Sequence, residues 1–289
     1  MKQEKDKTMR QILVAIDFSK HSVKALEFAI VIANVVSAQI MMVWVDKPES
    51  EDSIFDNTSH EHRQEAKQRL EELIKKYSKQ LKKGKLTYKL RKGKVYKEVA
   101  NQAHYNDAYL IIAGSHGVSG FESFWIGSNA NKIVAYSPCP VITMRDTFPL
   151  KKTIKKVILP IDNSMSTRQK VPFAMEFAKC FCSEIHVLEL QSSSLKTIRS
   201  KVSSYTAQVS KFLKENGVNH VVKSVDADNI TSATIKYAEQ IDADLIIIMT
   251  EQEEELSNIW LGPYAQQMVN NSPIPVMSVH PKEIEYLAK

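Results

Sequence analysis

Glycine is scarce in this chain of 289 residues: it holds 8, where average usage would give about 20. Cysteine is scarcer, at 3. Cys139, Cys180 and Cys182 are too few and too irregularly spaced for a disulfide framework, which fits a reducing compartment. No apolar run reaches the ~18–20 residues that span a bilayer. The best candidate, Phe28 to Val36, is short and broken by Asn34. Residues 1–10 are polar and lack the apolar core of a signal peptide. The expectation is a cytoplasmic protein with no membrane partner. Phosphate loops of the Gly-x-x-x-x-Gly-Lys-Ser/Thr type are absent. So is a Gly-x-Gly-x-x-Gly after the first strand, which argues against a dinucleotide domain. No His/Cys nucleophile arrangement and no carboxylate pair is placed for catalysis.

What is present is ordinary for a globular protein: 43% hydrophobic and 25% charged residues, with a net charge of +6. The lysines are not interleaved with aromatics, and many sit on one amphipathic stretch, Glu61 to Lys83. There Ala66, Leu70, Leu73, Ile74, Tyr77 and Leu81 form one helical stripe and Lys and Glu fill the rest. The charge reads as a solvated face, not a nucleic-acid surface. Cys180 and Cys182 with His186 do not make a metal set, because Cys-x-Cys side chains diverge on a helix and no fourth ligand is evident.

Short apolar strands alternate with helices. Strands are predicted at Arg10–Ile16, Ala38–Val45, Lys85–Leu90, Ala108–Ala113 and Val141–Met144. Helices fall at Val23–Val36, Glu61–Lys83, Val95–Tyr105 and Asn129–Tyr136, with Gly84 capping the second. That order predicts a parallel sheet covered on both faces.

The scarce glycines are not scattered. Gly114, Gly117, Gly120 and Gly127 all lie in one stretch, Gly114 to Ser128, between the fourth strand and its following helix. Glycine there lets the backbone take positive φ or lets a ligand approach closely. Free N–H groups at a helix start, with the positive end of its dipole, make an anion site. Tight turns alone would also account for the glycines. Asp17, just past the first strand, stands where open α/β sheets bind ligands. It can accept from a ribose hydroxyl or an adenine amine, or N-cap the next helix, as Ser19 also can.

Gly114-x-x-Gly117, nine residues, then Gly127-Ser128 resembles the nucleotide-binding motif of the universal stress protein family, with no departure at those positions. The resemblance covers nearly the whole chain as two consecutive copies. It implies two doubly wound α/β domains, each with a five-stranded parallel sheet of the adenine nucleotide alpha hydrolase-like type. It also implies that they pair through Val141–Met144 and Val276–Val279 as an intrachain pseudo-dimer. The adenine would lie near the backbone of Ala15, Ile16 and Val45 and beside Asp17. The phosphates would lie on Gly114, His116, Gly117, Gly127, Ser128 and Asn129, with ATP and Mg²⁺ as cofactors. The role implied is a nucleotide-responsive stress-response regulator with a protein partner, which dimerises further. The alternatives are a slow ATPase or autophosphorylating enzyme, and a nucleotide-free scaffold.

The residues themselves show the duplication. Lys156 to Asp162 parallels Gln11 to Asp17, Ile259 to Gly262 parallels Phe124 to Gly127, and Ser272 to Val276 parallels Ser137 to Val141. The division is placed between residues 1–146 and 147–289. In the second copy Thr250 and Glu253 take the places of Gly114 and Gly117, in a loop one residue shorter, and Pro263 replaces Ser128. Glu251, Glu253, Glu254 and Glu255 would repel a triphosphate. The second half is read as having lost the site.

Overall fold

The computed structural model describes residues 9–46, 57–115, 128–250, 252–255 and 258–281. The first half runs β1 (Arg10–Ala15), α1 (Lys20–Val36), β2 (Ala38–Asp46), α2 (Asn57–Tyr77), β3 (Leu86–Lys92), α3 (Val95–Tyr105), β4 (Leu110–Gly114), α4 (Ser128–Tyr136) and β5 (Val141–Met144). The second repeats it as β6 (Lys156–Ile161), α5 (Val171–Phe181), β7 (Glu184–Gln191), α6 (Lys196–Glu215), β8 (His220–Asp226), α7 (Ile230–Gln240) and β9 (Leu245–Met249). It closes with a hairpin of β10 (Gln252–Glu255) and β11 (Asn258–Leu261), then α8 (Pro263–Asn271) and β12 (Val276–Val279). The hairpin is an element that the composition of the acidic stretch did not predict.

Ten strands form one sheet in the order β3-β2-β1-β4-β5-β12-β9-β6-β7-β8. Each half contributes five parallel strands. The halves join at β5 and β12, which run antiparallel with Met277 opposite Ile142. Both strands are buried throughout, so neither leaves an open edge at the centre of the sheet. The family's pairing of last strands is therefore realised within one chain.

The central strands are mostly apolar and branched because helices cover both faces. One core cluster runs from the α1 face of the first half into the second. Another fills the α3–α4 side of the first half and takes in Val269 of α8. The connection after β5 is packed, not free: Phe148 and Ile154 are both buried.

Several boundaries differ from expectation, and two of them have a clear local reason. Helix α1 starts three residues early because Ser19 caps it, its side chain accepting from the Ser22 N–H. Helix α2 stops at Tyr77 and runs into a single tight turn, Ser78–Gln80. There Asn34 of α1 donates to the Gln80 carbonyl (2.8 Å) and accepts from the Lys82 N–H (2.7 Å), diverting the chain before the expected cap at Gly84.

Candidate functional site

Strand order reverses between β1 and β4: the chain winds outward from β1 through β2 to β3, then returns to add β4 and β5 on the other side. Loops leaving the carboxyl ends of two such strands diverge to opposite faces and open a crevice. Asp17 follows β1, Gly114 ends β4, and α4 begins at Ser128. The fold thus brings the two sequence signals, 97 residues apart in the chain, to one end of two neighbouring strands.

Asp17 shapes its own loop. Its Oδ1 accepts from the Ser19 N–H (3.0 Å) and the Ser19 hydroxyl (2.6 Å), while its N–H donates to Ser22 Oγ (3.3 Å). The cap of α1 is Ser19, which settles the choice between the two; Asp17 is held as a half-buried acceptor behind the cap. Between them Phe18 sits at φ 64°, a conformation that costs an aromatic residue on the order of 1 kcal/mol or more and clusters at ligand sites. The Arg69 guanidinium of α2 lies 4.3 Å over the Phe18 ring and holds it there. Nothing in the sequence marks Phe18; only the backbone reveals it.

Ala15 and Ile16 finish β1. The last backbone bond to β2 runs from the Ile16 N–H to the Val43 carbonyl, at 2.9 Å. By strand alternation Val45, two residues on, turns its own N–H and carbonyl to the same side, past the end of β1. The Val45 side chain is buried in the core, so only its backbone groups are left to face the crevice.

Gly114 is glycine for a specific reason. A Cβ there would stand 2.8 Å from the backbone carbon and the Cβ of His21 in the first turn of α1. Its need is close approach between β4 and α1, not positive φ. His21 also fixes the far side of the crevice: its Nδ1 accepts from the Asp146 N–H at 3.2 Å. Asn129 is half-buried in the first turn of α4, and that turn carries no carboxylate to cancel the positive end of the dipole. His116, Gly117 and Gly127 lie outside the described residues.

The second half keeps part of this arrangement. Asp162 Oδ1 accepts from the Ser164 N–H (2.9 Å) and hydroxyl (2.7 Å), and the Asp162 N–H donates to Thr167 Oγ1 (3.2 Å). It repeats the turn at Asp17 bond for bond. The strand register corrects the expected loop alignment. Gly114 pairs with Met144, and Met249 pairs with Val279. Thirteen residues separate strand from helix in both halves. The counterparts of Gly114 and Gly117 are therefore Met249 and Gln252, and the loop is not shorter. The strand ladder carries through Gly114, one residue past the apolar run that marked its expected end.

Where the first half has Asn129, the second has Tyr264. Its hydroxyl lies 3.3 Å from Thr234 Oγ1 of α7, and burial together with the charge of Asp162 pushes its phenol above the usual range. Ahead of it Pro263 opens α8 without an N–H. Lys170, just before α5, is fully buried. Its ammonium donates to the Thr167 carbonyl at 2.5 Å, and burial lowers it to about 8 against the upward pull of Asp162. The first half has Asn129 at the position of Tyr264 and Ala25 at that of Lys170. Elsewhere, the His186 ring bonds Tyr237 and Glu184 (both 2.9 Å), and the side chains of Cys180 and Cys182 are exposed.

Comparison with known proteins gives the same partition. The family model described as "Universal stress protein family" matches residues 8–145 and again 153–280. A universal stress protein of Bacillus subtilis, YxiE, is 28% identical over 150 residues, covering 47% of this chain and 98% of its own length. Among solved structures, a universal stress protein from Archaeoglobus fulgidus superposes with a TM-score of 0.76 at 20% identity, covering 94% of this chain and 98% of its own. A second, described as a putative universal stress protein from Pseudomonas aeruginosa, gives 0.63 at 17% identity, covering 97% and 96%. At these identities the structural likeness establishes the fold.

Proposed function

The chain belongs to the universal stress protein family as a tandem member, and from that premise we propose that its first half, residues 1–146, binds ATP with Mg²⁺ while residues 147–289 form a degenerate partner. Family membership supports a role in the stress response. The carrying observation is the convergence of Asp17, the Val45 backbone and the start of α4 at the strand-order reversal. The adenine lies against Ala15, Ile16 and Val45, and Asp17 accepts from the nucleoside. The phosphates rest on N–H groups between Gly114 and Asn129, including those of Gly117 and Gly127, with His116 alongside. Ser128 donates to the terminal phosphates or ligates Mg²⁺.

The second half is built to respond. Helix α4, whose start bears the phosphates, is gripped by it. Strand β11 packs against α4, and the Asn131 side chain donates to Asn270 Oδ1 at 2.8 Å. A nucleotide that shifts α4 shifts the second half with it, which suits a switch read by a protein partner. The protein acts in the cytoplasm, as a homodimer of such chains; among the described residues no helix is long and apolar enough to cross a membrane.

The test is to denature the purified protein and identify any co-purified nucleotide with its molar ratio, then to add Mg-ATP to the stripped chain. At 100 times its dissociation constant ATP should add ~2.7 kcal/mol to folding stability. No nucleotide and no thermal shift would leave the glycines as turn formers only.

A further inference from the structure

At the opposite end of the first half, the amino ends of β1, β2 and β4 and the turn before β5 surround a crevice of about 480 Å³. That is within the ~300–1,000 Å³ of small-molecule sites. One wall is aromatic: Tyr109, at the start of β4, and Phe173 of α5 have ring centroids 5.8 Å apart. Phe173 belongs to the second half, so both halves of the chain contribute to the crevice. The Arg10 guanidinium lies 4.5 Å over the Tyr109 ring, and among the described residues it has no carboxylate partner.

Gln11 lines the same crevice and is only 7% exposed. Its amide N donates to the carbonyls of Ile12 (3.2 Å) and Gln39 (3.4 Å). Its Oε1 accepts nothing among the described residues, which leaves that acceptor to solvent or to a ligand in the crevice. The Tyr109 phenol is likewise without a hydrogen-bond partner among them, and burial pushes it up to about 12, so it stays a neutral donor.

The second half supplies an internal control. Asp244 stands in the place of Tyr109, since the Asp244 N–H donates to Lys156 as the Tyr109 N–H does to Gln11. Its Oδ2 accepts from the N–H groups of Lys155 (2.7 Å) and Lys156 (2.8 Å). Lys151 Nζ then bridges Asp244 (2.8 Å) and Asp242 (2.7 Å). That end is bridged by its own ion pairs. In the first half Asp107, the counterpart of Asp242 and like it at positive φ, makes no ion pair among the described residues, and the crevice stays open.

We infer that this crevice binds a small aromatic molecule with an anionic group at one end and a hydrogen-bond donor at the other. The ring lies against Tyr109 and Phe173, the anion meets Arg10, and the donor meets Gln11 Oε1. Arg10 already occupies the face of Tyr109 that would attract a cation, so a cationic aromatic is disfavoured.

The test uses 6-hydroxy-2-naphthoate, which carries both groups, titrated calorimetrically into the full chain. One saturable site is expected, unaffected by excess ATP. Arg10→Leu should weaken it about tenfold, as should replacing the probe by 6-hydroxy-2-naphthylmethanol, which lacks the charge. Gln11→Leu should weaken it comparably, with an unchanged melting temperature as the control for folding; the neutral probe on the unaltered chain decides the matter if that variant does not fold. Absence of saturable binding up to roughly 1 mM would overturn the inference. So would equal affinity for charged and neutral probes, or binding that appears only when residues 1–8 are removed.

Discussion

His280 Nε2 lies 2.6 Å from the carbonyl of Val134. A carbonyl only accepts, so that nitrogen carries the proton, and Nδ1 is left to accept from the Thr250 hydroxyl at 2.6 Å. The residue that follows β12 in the second half thus satisfies one of the last carbonyls of α4 in the first. A reciprocal bond completes the pair: Arg145, which follows β5, donates through Nη2 to the Asn270 carbonyl in α8 at 2.7 Å. Each half caps the other's final helix.

Removing the ring from His280 leaves the Val134 carbonyl without this partner and the Thr250 hydroxyl with only the longer bond to the Val279 carbonyl (3.3 Å). The expected loss for His280→Ala is about 1–3 kcal/mol, read from the midpoint of urea unfolding. A loss under ~0.5 kcal/mol would mean that water replaces the ring at the Val134 carbonyl and that this cap adds little to the joint between the halves.

Lys170 sets a pH dependence of definite sign. Its folded value of about 8 is depressed below the ordinary 10.5 of the unfolded chain. Between those values the unfolded state holds the proton more tightly, so stability rises with pH through that window. Below about 8 the full cost of burying the charge is present. Lys170→Met should therefore be more stable at pH 7, by up to roughly 3 kcal/mol, and its stability should rise less between pH 8 and 10. Denaturant melts at pH 7, 8.5 and 10 give both numbers; parallel curves for the two proteins would show that the ammonium is solvated.

Gly114→Ala puts a methyl group 2.8 Å from the backbone of His21. Backbone cannot rotate away as a side chain tip can, so β4 or α1 must shift. The expected cost is about 1–3 kcal/mol, with weaker ATP binding as the crevice mouth moves. A melting temperature within error of the unaltered chain would show that the first turn of α1 yields freely.

Much of this was legible in the residues. The alternation of Gln11–Ile16, Ala38–Val45 and Val141–Met144 with helical stripes specifies a parallel sheet, because only strands buried on both faces can be apolar throughout. Asp17 and Gly114 were legible because an acid and a glycine stand out against such runs. Phe18 was not, since a left-handed backbone leaves no mark on an aromatic residue. The counterpart of Gly114 was misassigned by one residue because composition does not show where a ladder of backbone bonds ends; pairing with Met144 does. The crevice at Gln11 was invisible because it needs Phe173, 162 positions away in the chain.

The two halves differ at one place, and under the proposed function that difference predicts a single nucleotide per chain. In the second half Tyr264 reaches Thr234, and Pro263 removes the first N–H of α8. Lys170 fills the ground behind Asp162. A phosphate entering there would meet no free N–H at the first position of the helix, and would have to displace a partly buried ring. Calorimetry with Mg-ATP should therefore give one site per chain. Tyr264→Ala should not create a second, because Pro263 still withholds its N–H and Gln252 stands where Gly117 does in the first half. The double change Pro263→Ser with Tyr264→Asn restores the residues of the first half at the helix start, and a weak second site is expected only then. Two equal sites in the unaltered chain would show that the turn at Asp162, which repeats the one at Asp17, suffices to hold a nucleotide without the glycines.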